Sequence, residues 1–169
     1  KLIEDISEFD DEILKISPKK ALFRIYRDVR FSLNKAPYKT HFGAGLGFGK
    51  GGRTSGYYLH IEPGNSFIAG GVFRPEKDIL KSIRKNISEN PENFLKIIND
   101  KDCKKHFTEL SQEDKLKRIP QGFDKENPVE DHLKLKSFVV RYSLKDKDLT
   151  QTSGIKKIAQ ICEQIKPLN

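Results

Sequence analysis

The stretch that decides the fold is residues 38–73, which read YKTHFGAGLGFGKGGRTSGYYLHIEPGNSFIAGGVF. Within it, side chains that suit a buried face alternate with polar residues or glycines over residues 38–48 and 57–62, and residues 66–73 supply a further strand after a turn. Alternation with a period of two is typical of β-strands that bury one face. Turns rich in glycine and proline separate the three parts, so the stretch predicts strands joined as an antiparallel meander.

The segments on either side of this stretch extend the predicted sheet and supply helices. Residues 21–31 and residues 137–143 both alternate apolar and polar side chains, which predicts one strand before the meander and one after it. Apolar residues at helical spacing predict helices over residues 3–16, after Pro75, after Pro91, over residues 104–110, before Leu133 and after Ser153. We therefore expect an α+β fold, a mostly antiparallel sheet of about five strands with helices packed on one face.

The size and composition are those of one folded domain with a basic surface. The chain has 169 residues, which is enough for one hydrophobic core and short for two. Lys and Arg number 32 against 24 Asp and Glu, a formal net charge of +8, so anionic partners are favoured. No apolar run reaches the roughly 20 residues of a membrane span, so we expect no membrane partner and a cytoplasmic location. Cys103 and Cys162 lack the spacing of a disulfide framework or a zinc ribbon, and we expect Cys162 in the core.

Residues 23–41 hold the candidate binding site, because they carry five cations and four aromatic rings against one acid, Asp28. If residues 21–31, 38–48 and 57–62 form neighbouring strands, their polar faces meet in a basic cleft. Guanidinium groups suit phosphate or carboxylate because they donate two parallel hydrogen bonds. The predicted ligand is a small anion, and the predicted anion-binding residues are Arg24, Arg27, Arg30, Lys39, Tyr38 and Tyr58. The same arginines could instead pair with acids of the chain itself.

Two histidines on the same predicted face are the candidates for chemistry. Either could act as a general acid or base with Asp28 or Glu62 orienting its ring, and the predicted catalytic residues are His41, His60 and Asp28. Imidazole and carboxylate could also hold a divalent metal, but the surrounding arginines disfavour a cation. We therefore expect neither a metal nor a cofactor, and the residues leave open whether a reaction occurs.

Two other classes of function fit the same charges. Basic residues interleaved with aromatic rings could follow a nucleic-acid backbone and stack on its bases. A broad, flat basic patch would instead suit an acidic protein surface. Gly47, Gly49 and Gly52 have the spacing of a dinucleotide fingerprint, but that motif requires a following helix, and here a strand is predicted. We interpret these glycines as part of a flexible hairpin.

Six sequence blocks, taken together, are specific enough to indicate a family. They are RIYRDVRF at residues 24–31, KAPYKTHF at 35–42, GYYLHIEPG at 56–64, GGVFRPE at 70–76, PQGFD at 120–124 and LKSF at 135–138. These blocks resemble a family of conserved hypothetical proteins from bacteria and fungi, domain of unknown function 2461. The resemblance implies one domain over residues 1–169 and no activity that could be carried over. It also implies that the chain lacks an N-terminal helical segment, since members carry an NREWF-like motif that is absent here.

Overall fold

The computed structural model describes residues 1–47, 55–101, 104, 107 and 109–169. The strands with defined bounds are β1 (Phe42–Leu46), β2 (Ser55–Ile61), β3 (Phe67–Val72) and β4 (Phe138–Ser143). The α-helices with defined bounds are α1 (Leu2–Ser7), α2 (Pro18–Ala21), α3 (Lys77–Glu89), α4 (Pro91–Ile98), α5 (Glu130–Leu133), α6 (Asp146–Thr150) and α7 (Gly154–Ile165). Short 3₁₀ helices span Asp11–Lys15 and Lys166–Leu168.

The strands form one open antiparallel sheet in the order β1-β2-β3-β4. Its first three strands are the predicted meander, and β4 joins the free edge of β3 after the central helices. In the register of the sheet, His60 pairs with Gly43 on one side and with Phe67 on the other. The α+β prediction is therefore confirmed, with four strands among the described residues instead of about five.

The predicted first strand, residues 21–31, does not form. This segment instead makes isolated β-bridges, Leu22 to Ala44 and Tyr26 to Tyr38. The chain therefore doubles back beside β1, and we call residues 22–41 the ribbon. Two features of the segment account for the difference. The Asp28 carboxylate accepts a hydrogen bond from the backbone N–H of Arg30, a local turn that competes with extended pairing. The apolar face is also covered only in part, since Phe23 stacks on Tyr58 but the Phe31 side chain is 96% exposed.

Helices cover one face of the sheet. Helix α7 packs on β3, and α1 packs on α7. Gly70 makes the close approach of α7 possible, because a Cβ atom there would lie 2.5 Å from Cγ2 of Ile165. The ring of Phe94 in α4 meets Phe138 of β4 edge-on. Cys162 is fully buried beneath this layer, as predicted.

Several predictions fall on residues outside the described ranges. They are the end of the second predicted strand at Phe48, the glycine hairpin, the fingerprint glycines Gly49 and Gly52, Cys103, and most of the helix expected over residues 104–110. Helix α7 begins directly after Ser153 and α4 directly after Asn90, both as predicted. The short helices α2 and α6 were not predicted. Among the described residues, no helix is both long enough and apolar enough to span a bilayer.

Candidate functional site

The site lies on the face of the sheet opposite α7. Strand β2 places Tyr58 and His60 there because alternate residues of a strand point to the same side. The neighbouring position on β3 is Phe67, which pairs with His60 in the register. His41 reaches the same place from the residue immediately before β1. Three consecutive parts of the sheet thus bring these side chains together.

Four side chains form a stacked row across this face. The imidazole rings of His41 and His60 have centroids 4.3 Å apart, with 30° between their planes. The His60 ring also stacks on Phe67, at 4.6 Å and 14°. The guanidinium carbon of Arg141 lies 3.7 Å from the centroid of the Phe67 ring, a cation–π contact. The row fixes the plane of the His60 ring on the sheet.

Glu62 supplies the fixed negative charge beside the histidines. Its carboxylate accepts hydrogen bonds from the Thr40 hydroxyl at 2.7 Å and from the Asn65 amide at 2.9 Å. The Nε2 atom of His60 lies 3.4 Å from the same carboxylate. These three contacts, with the Thr40 bond the strongest, lower the pKa of Glu62 to about 2. Glu62 is therefore ionised throughout the neutral range.

Tyr58 fixes the opposite side of the His60 ring. Its hydroxyl lies 3.0 Å from Nδ1 of His60, and burial raises the pKa of this tyrosine, so the phenol stays protonated. Phe23 stacks on the Tyr58 ring with 5.8 Å between the centroids. Both rings occupy space above Gly43, where a Cβ atom would lie 2.8 Å from the Tyr58 hydroxyl. The space above this glycine is thus filled by aromatic rings.

His41 is the more accessible of the two histidines. Its ring is partly exposed, whereas His60 is 9% exposed. Burial lowers the pKa of His41, and the nearby His60 and Lys39 lower it further, against an opposing effect of Glu62. The His41 imidazole is therefore neutral at pH 7. Among the residues that the structure describes, none forms a hydrogen bond with this ring.

The structure brings together only some of the residues predicted for the site. His41, His60 and Tyr58 meet as expected, and the acid beside the histidines is Glu62. The other acid considered as an orienting group, Asp28, accepts two hydrogen bonds from the Arg30 side chain, at 2.9 and 2.6 Å. These bonds lower the pKa of Asp28.

The other predicted anion-binding residues lie along the exposed ribbon. The Lys39 ammonium group donates to the backbone carbonyl of Arg24 at 2.9 Å. Tyr38 packs on Tyr26, with 5.4 Å between the ring centroids. Arg24 and Arg27 are not paired with an acid anywhere in the described ranges, although the charge of Arg24 also helps to lower the pKa of Asp28. The ribbon therefore keeps two guanidinium groups available to a ligand.

A model of one protein family matches residues 1–169, the whole chain. The chain belongs to the conserved hypothetical proteins of DUF2461. This confirms the family resemblance of the six sequence blocks. No curated protein and no solved structure matched the chain.

Five side chains of the site in this DUF2461 member were not predicted. They are Phe23, Thr40, Asn65, Phe67 and Arg141. The sequence does carry a signal for Arg141, because it alternates with the buried Val140 and so points to the opposite face. The same rule applies to Phe67 on β3. Phe23 was placed on the apolar face of a strand that does not form.

The arrangement has two chemical capacities. The sheet face presents two imidazoles and one carboxylate, a set of groups that can accept a cation or move a proton. The ribbon beside it presents cations that can accept an anion. The boundary between the two surfaces runs along residues 39–41.

Proposed function

We propose that this DUF2461 chain binds a small phosphate- or carboxylate-bearing ligand where the ribbon of residues 22–41 meets His41. The observation that supports this most directly is the position of Lys39. Its ammonium group lies 2.9 Å from the carbonyl oxygen of Arg24, and its charge also lowers the pKa of His41. One cation is therefore close both to the arginine-rich ribbon and to the accessible imidazole.

The ligand's charge would be met by Arg24, Arg27 and Lys39. Arg24 is exposed and Arg27 is half-buried, and a guanidinium group without an acidic partner gains most from a bidentate oxyanion. Arg30 contributes less than the sequence suggests, since Asp28 already occupies its side chain. Tyr38 and Tyr58 would line the two ends of the binding surface.

Only one of the two histidines is free to contact the ligand directly. His41 is accessible and can exchange a hydrogen bond or a proton with a bound oxyanion, whereas His60 is held between Tyr58 and Glu62. Asp28 is paired with Arg30 and has no role in this proposal. Binding is the core of the proposal, and it does not require that a reaction follow.

The test is calorimetric titration of the full chain with inorganic phosphate and with a panel of phosphorylated and carboxylated metabolites. The variant Arg24→Ala/Arg27→Ala should weaken binding about 10-fold or more, because each charged hydrogen bond contributes about 1.5–3 kcal/mol. The control Lys19→Ala/Lys20→Ala removes the same charge from exposed residues of α2 and should bind normally. Equal loss in both variants would show a general charge effect, and no saturable binding by the wild type would overturn the proposal.

A nucleic-acid strand is the second candidate ligand, and the exposure of the ribbon's aromatic rings favours it. Tyr26 and Tyr38 are more than half exposed and Phe31 is almost fully exposed, all between basic residues. Such rings can stack on unpaired bases. A fluorescent single-stranded oligonucleotide should then bind at low salt and be released steeply as salt rises, with Phe31→Ala weaker than wild type. Absence of binding at low salt would exclude this candidate.

The same exposed basic surface could bind an acidic protein, and crosslinking to a polyglutamate peptide would detect such binding.

A further inference from the structure

We propose that His41, His60 and Glu62 form the protein side of a binding site for a divalent transition-metal ion such as Zn²⁺. One ligand atom from each of the three residues can be chosen so that all three lie within 4.8 Å of one another. Two imidazoles and a carboxylate are a donor set that first-row divalent ions accept in proteins. The inference goes beyond anion binding, because it concerns a cation and adds His60 and Glu62 as its ligands.

The His60 and Glu62 pair already has the spacing of two ligands of one ion. Their Nε2 and Oε2 atoms are 3.4 Å apart. Two ligand atoms on a tetrahedral zinc ion, each at about 2.0–2.1 Å, are separated by about 3.3 Å. An ion bound to both atoms would take the place of the contact that Nε2 and Oε2 make with each other. His60 of β2 and Glu62, which directly follows β2, therefore have the spacing of two of the three ligands without movement of the backbone.

Tyr58 allows His60 to present the correct nitrogen. Its oxygen lies 3.0 Å from Nδ1 and can accept a hydrogen bond from that atom. With the proton on Nδ1, the lone pair of Nε2 points toward Glu62. A metal-bound histidine almost always donates its other N–H in this way, since the bond fixes the tautomer and the ring orientation.

Glu62 is held as ligating carboxylates usually are. Thr40 donates to Oε1 at 2.7 Å and Asn65 donates to Oε2 at 2.9 Å. Each carboxylate oxygen can accept more than one bond, so Oε2 retains a lone pair for an ion. The hydrogen bonds also keep the carboxylate at the His60 ring, and loss of such supporting bonds typically weakens metal binding 10- to 100-fold.

His41 is the adjustable third ligand. Its ring is partly exposed, and no hydrogen bond from the described part of the chain holds it. In the stacked arrangement its plane is tilted by only 30° from that of His60, so the ring must turn out of the stack to share an ion. This rotation breaks a ring contact and no hydrogen bond. The site is therefore rigid at two ligands and mobile at one.

The charges near the site permit a cation. The sequence argument against a metal was the surrounding arginines, but Arg30 is neutralised by Asp28 in a 2.6 Å ion pair. Lys39 keeps its positive charge near His41, but its ammonium group donates to the Arg24 carbonyl. The Arg141 guanidinium group lies over the Phe67 ring and donates to Asn65. Glu62 is the one charged member of the three ligands. A bound anion could supply a fourth ligand, although the metal site does not depend on it.

The experiment is titration of the chelator-treated full chain with Co²⁺, with binding measured by the visible absorption of the ion. Zn²⁺ is then added to compete for the site. The wild type should bind one Co²⁺ per chain with the absorption of a four- or five-coordinate ion. Glu62→Gln and His41→Ala should each weaken binding by at least about 10-fold, and Tyr58→Phe by about 10-fold. Glu89→Gln is the matched control, since it removes one exposed carboxylate from α3.

The outcomes separate this inference from the proposed function. Arg24→Ala/Arg27→Ala should bind Co²⁺ as the wild type does, even where it loses phosphate. If the visible absorption of Co²⁺ does not change when the wild type is added, the metal inference is overturned while anion binding stands. If Glu62→Gln and His41→Ala bind as tightly as Glu89→Gln, the ion binds elsewhere and the inference is overturned as well.

Discussion

The imidazole of His60 lies flat on the phenyl ring of Phe67, with 4.6 Å between the centroids and 14° between the planes. The two residues are direct partners in the register of β2 and β3, so strand pairing and not a loop sets this contact. Arg141 adds its guanidinium group to the Phe67 ring from β4. The orientation of the central histidine thus depends on residues from three strands.

The contact between Phe67 and Arg141 should be measurable as a coupling energy. A double-mutant cycle with Phe67→Leu and Arg141→Met should give about 0.5–1 kcal/mol in urea unfolding, the usual strength of a partly exposed cation–π pair. A cycle of Arg141→Met with Phe31→Leu is the control, because Phe31 is almost fully exposed on the ribbon. That control pair should be additive within about 0.5 kcal/mol, and a coupling no larger for Phe67 would contradict the contact.

Tyr57 anchors the buried face of the sheet to the N-terminal region. Its side chain is fully buried, and its hydroxyl donates to the Asp10 carboxylate at 3.2 Å. Burial raises the pKa of Tyr57, so the hydroxyl remains a donor at all ordinary pH values. Tyr57→Phe should destabilise the chain by about 1–2 kcal/mol, because the buried carboxylate loses one donor. The exposed Tyr38→Phe should change the unfolding free energy by less than about 0.5 kcal/mol, and equal effects would refute the anchor.

Alternation in the sequence located the strands but could not decide which alternating segments become strands. Residues 57–62 and 137–143 alternate and form β2 and β4, and residues 21–31 alternate equally well and form none. The difference lies in the second layer. A strand is stabilised when its apolar face is covered, and no helix in the described part of the chain covers Phe31, which is 96% exposed. Coverage depends on tertiary packing, which a local pattern does not contain.

The alternation of side chains along a strand was enough to predict part of the site. His60 and Tyr58 are two residues apart and so share a face, and the pairing of neighbouring strands brings His41 to them. The role of Thr40 could not be predicted in this way, because Thr40 was placed opposite His41 although both approach the Glu62 side of the sheet. They precede β1, where the chain bends and alternation no longer holds. The pairing of Asp28 with Arg30 likewise reflects a local turn in place of an extended strand.

The decrease in the free energy of unfolding at acid pH should depend on Asp148. Its side chain is 6% exposed, Lys157 lies 2.9 Å from one oxygen, and the backbone N–H of Lys145 donates to the other at 3.0 Å. The Lys157 contact, followed by the Lys145 bond, lowers the pKa of Asp148. A carboxyl with a lowered folded-state pKa stabilises the protein above its unfolded pKa of about 3.9 and loses this effect as the pH falls through the folded value.

Asp148→Asn should therefore cost about 1–2 kcal/mol at pH 7, a value discounted because Lys157 is partly exposed and can be hydrated. The difference from the wild type should shrink below about pH 4, as the carboxyl binds a proton first in the unfolded state and, at lower pH, in the folded state. Urea unfolding across pH 2–7 measures both effects. A difference that stays constant with pH would show that the charge of Asp148 contributes nothing.

Two glycines with positive φ separate the cost of backbone strain from the cost of a clash. Gly64 has φ +73° and open space where a methyl group would lie, whereas Gly71 has φ +120° and would place a Cβ atom in collision with the carbonyl oxygen of Phe138. Gly64→Ala should cost about 1 kcal/mol from the left-handed backbone alone. Gly71→Ala should cost about 3 kcal/mol or more, because the β3–β4 pairing must also open to admit the methyl group. Thermal unfolding of the two variants gives the comparison. Similar melting temperatures of the two variants would mean that β3 and β4 accommodate the methyl group at Gly71 without loss of pairing, against this prediction.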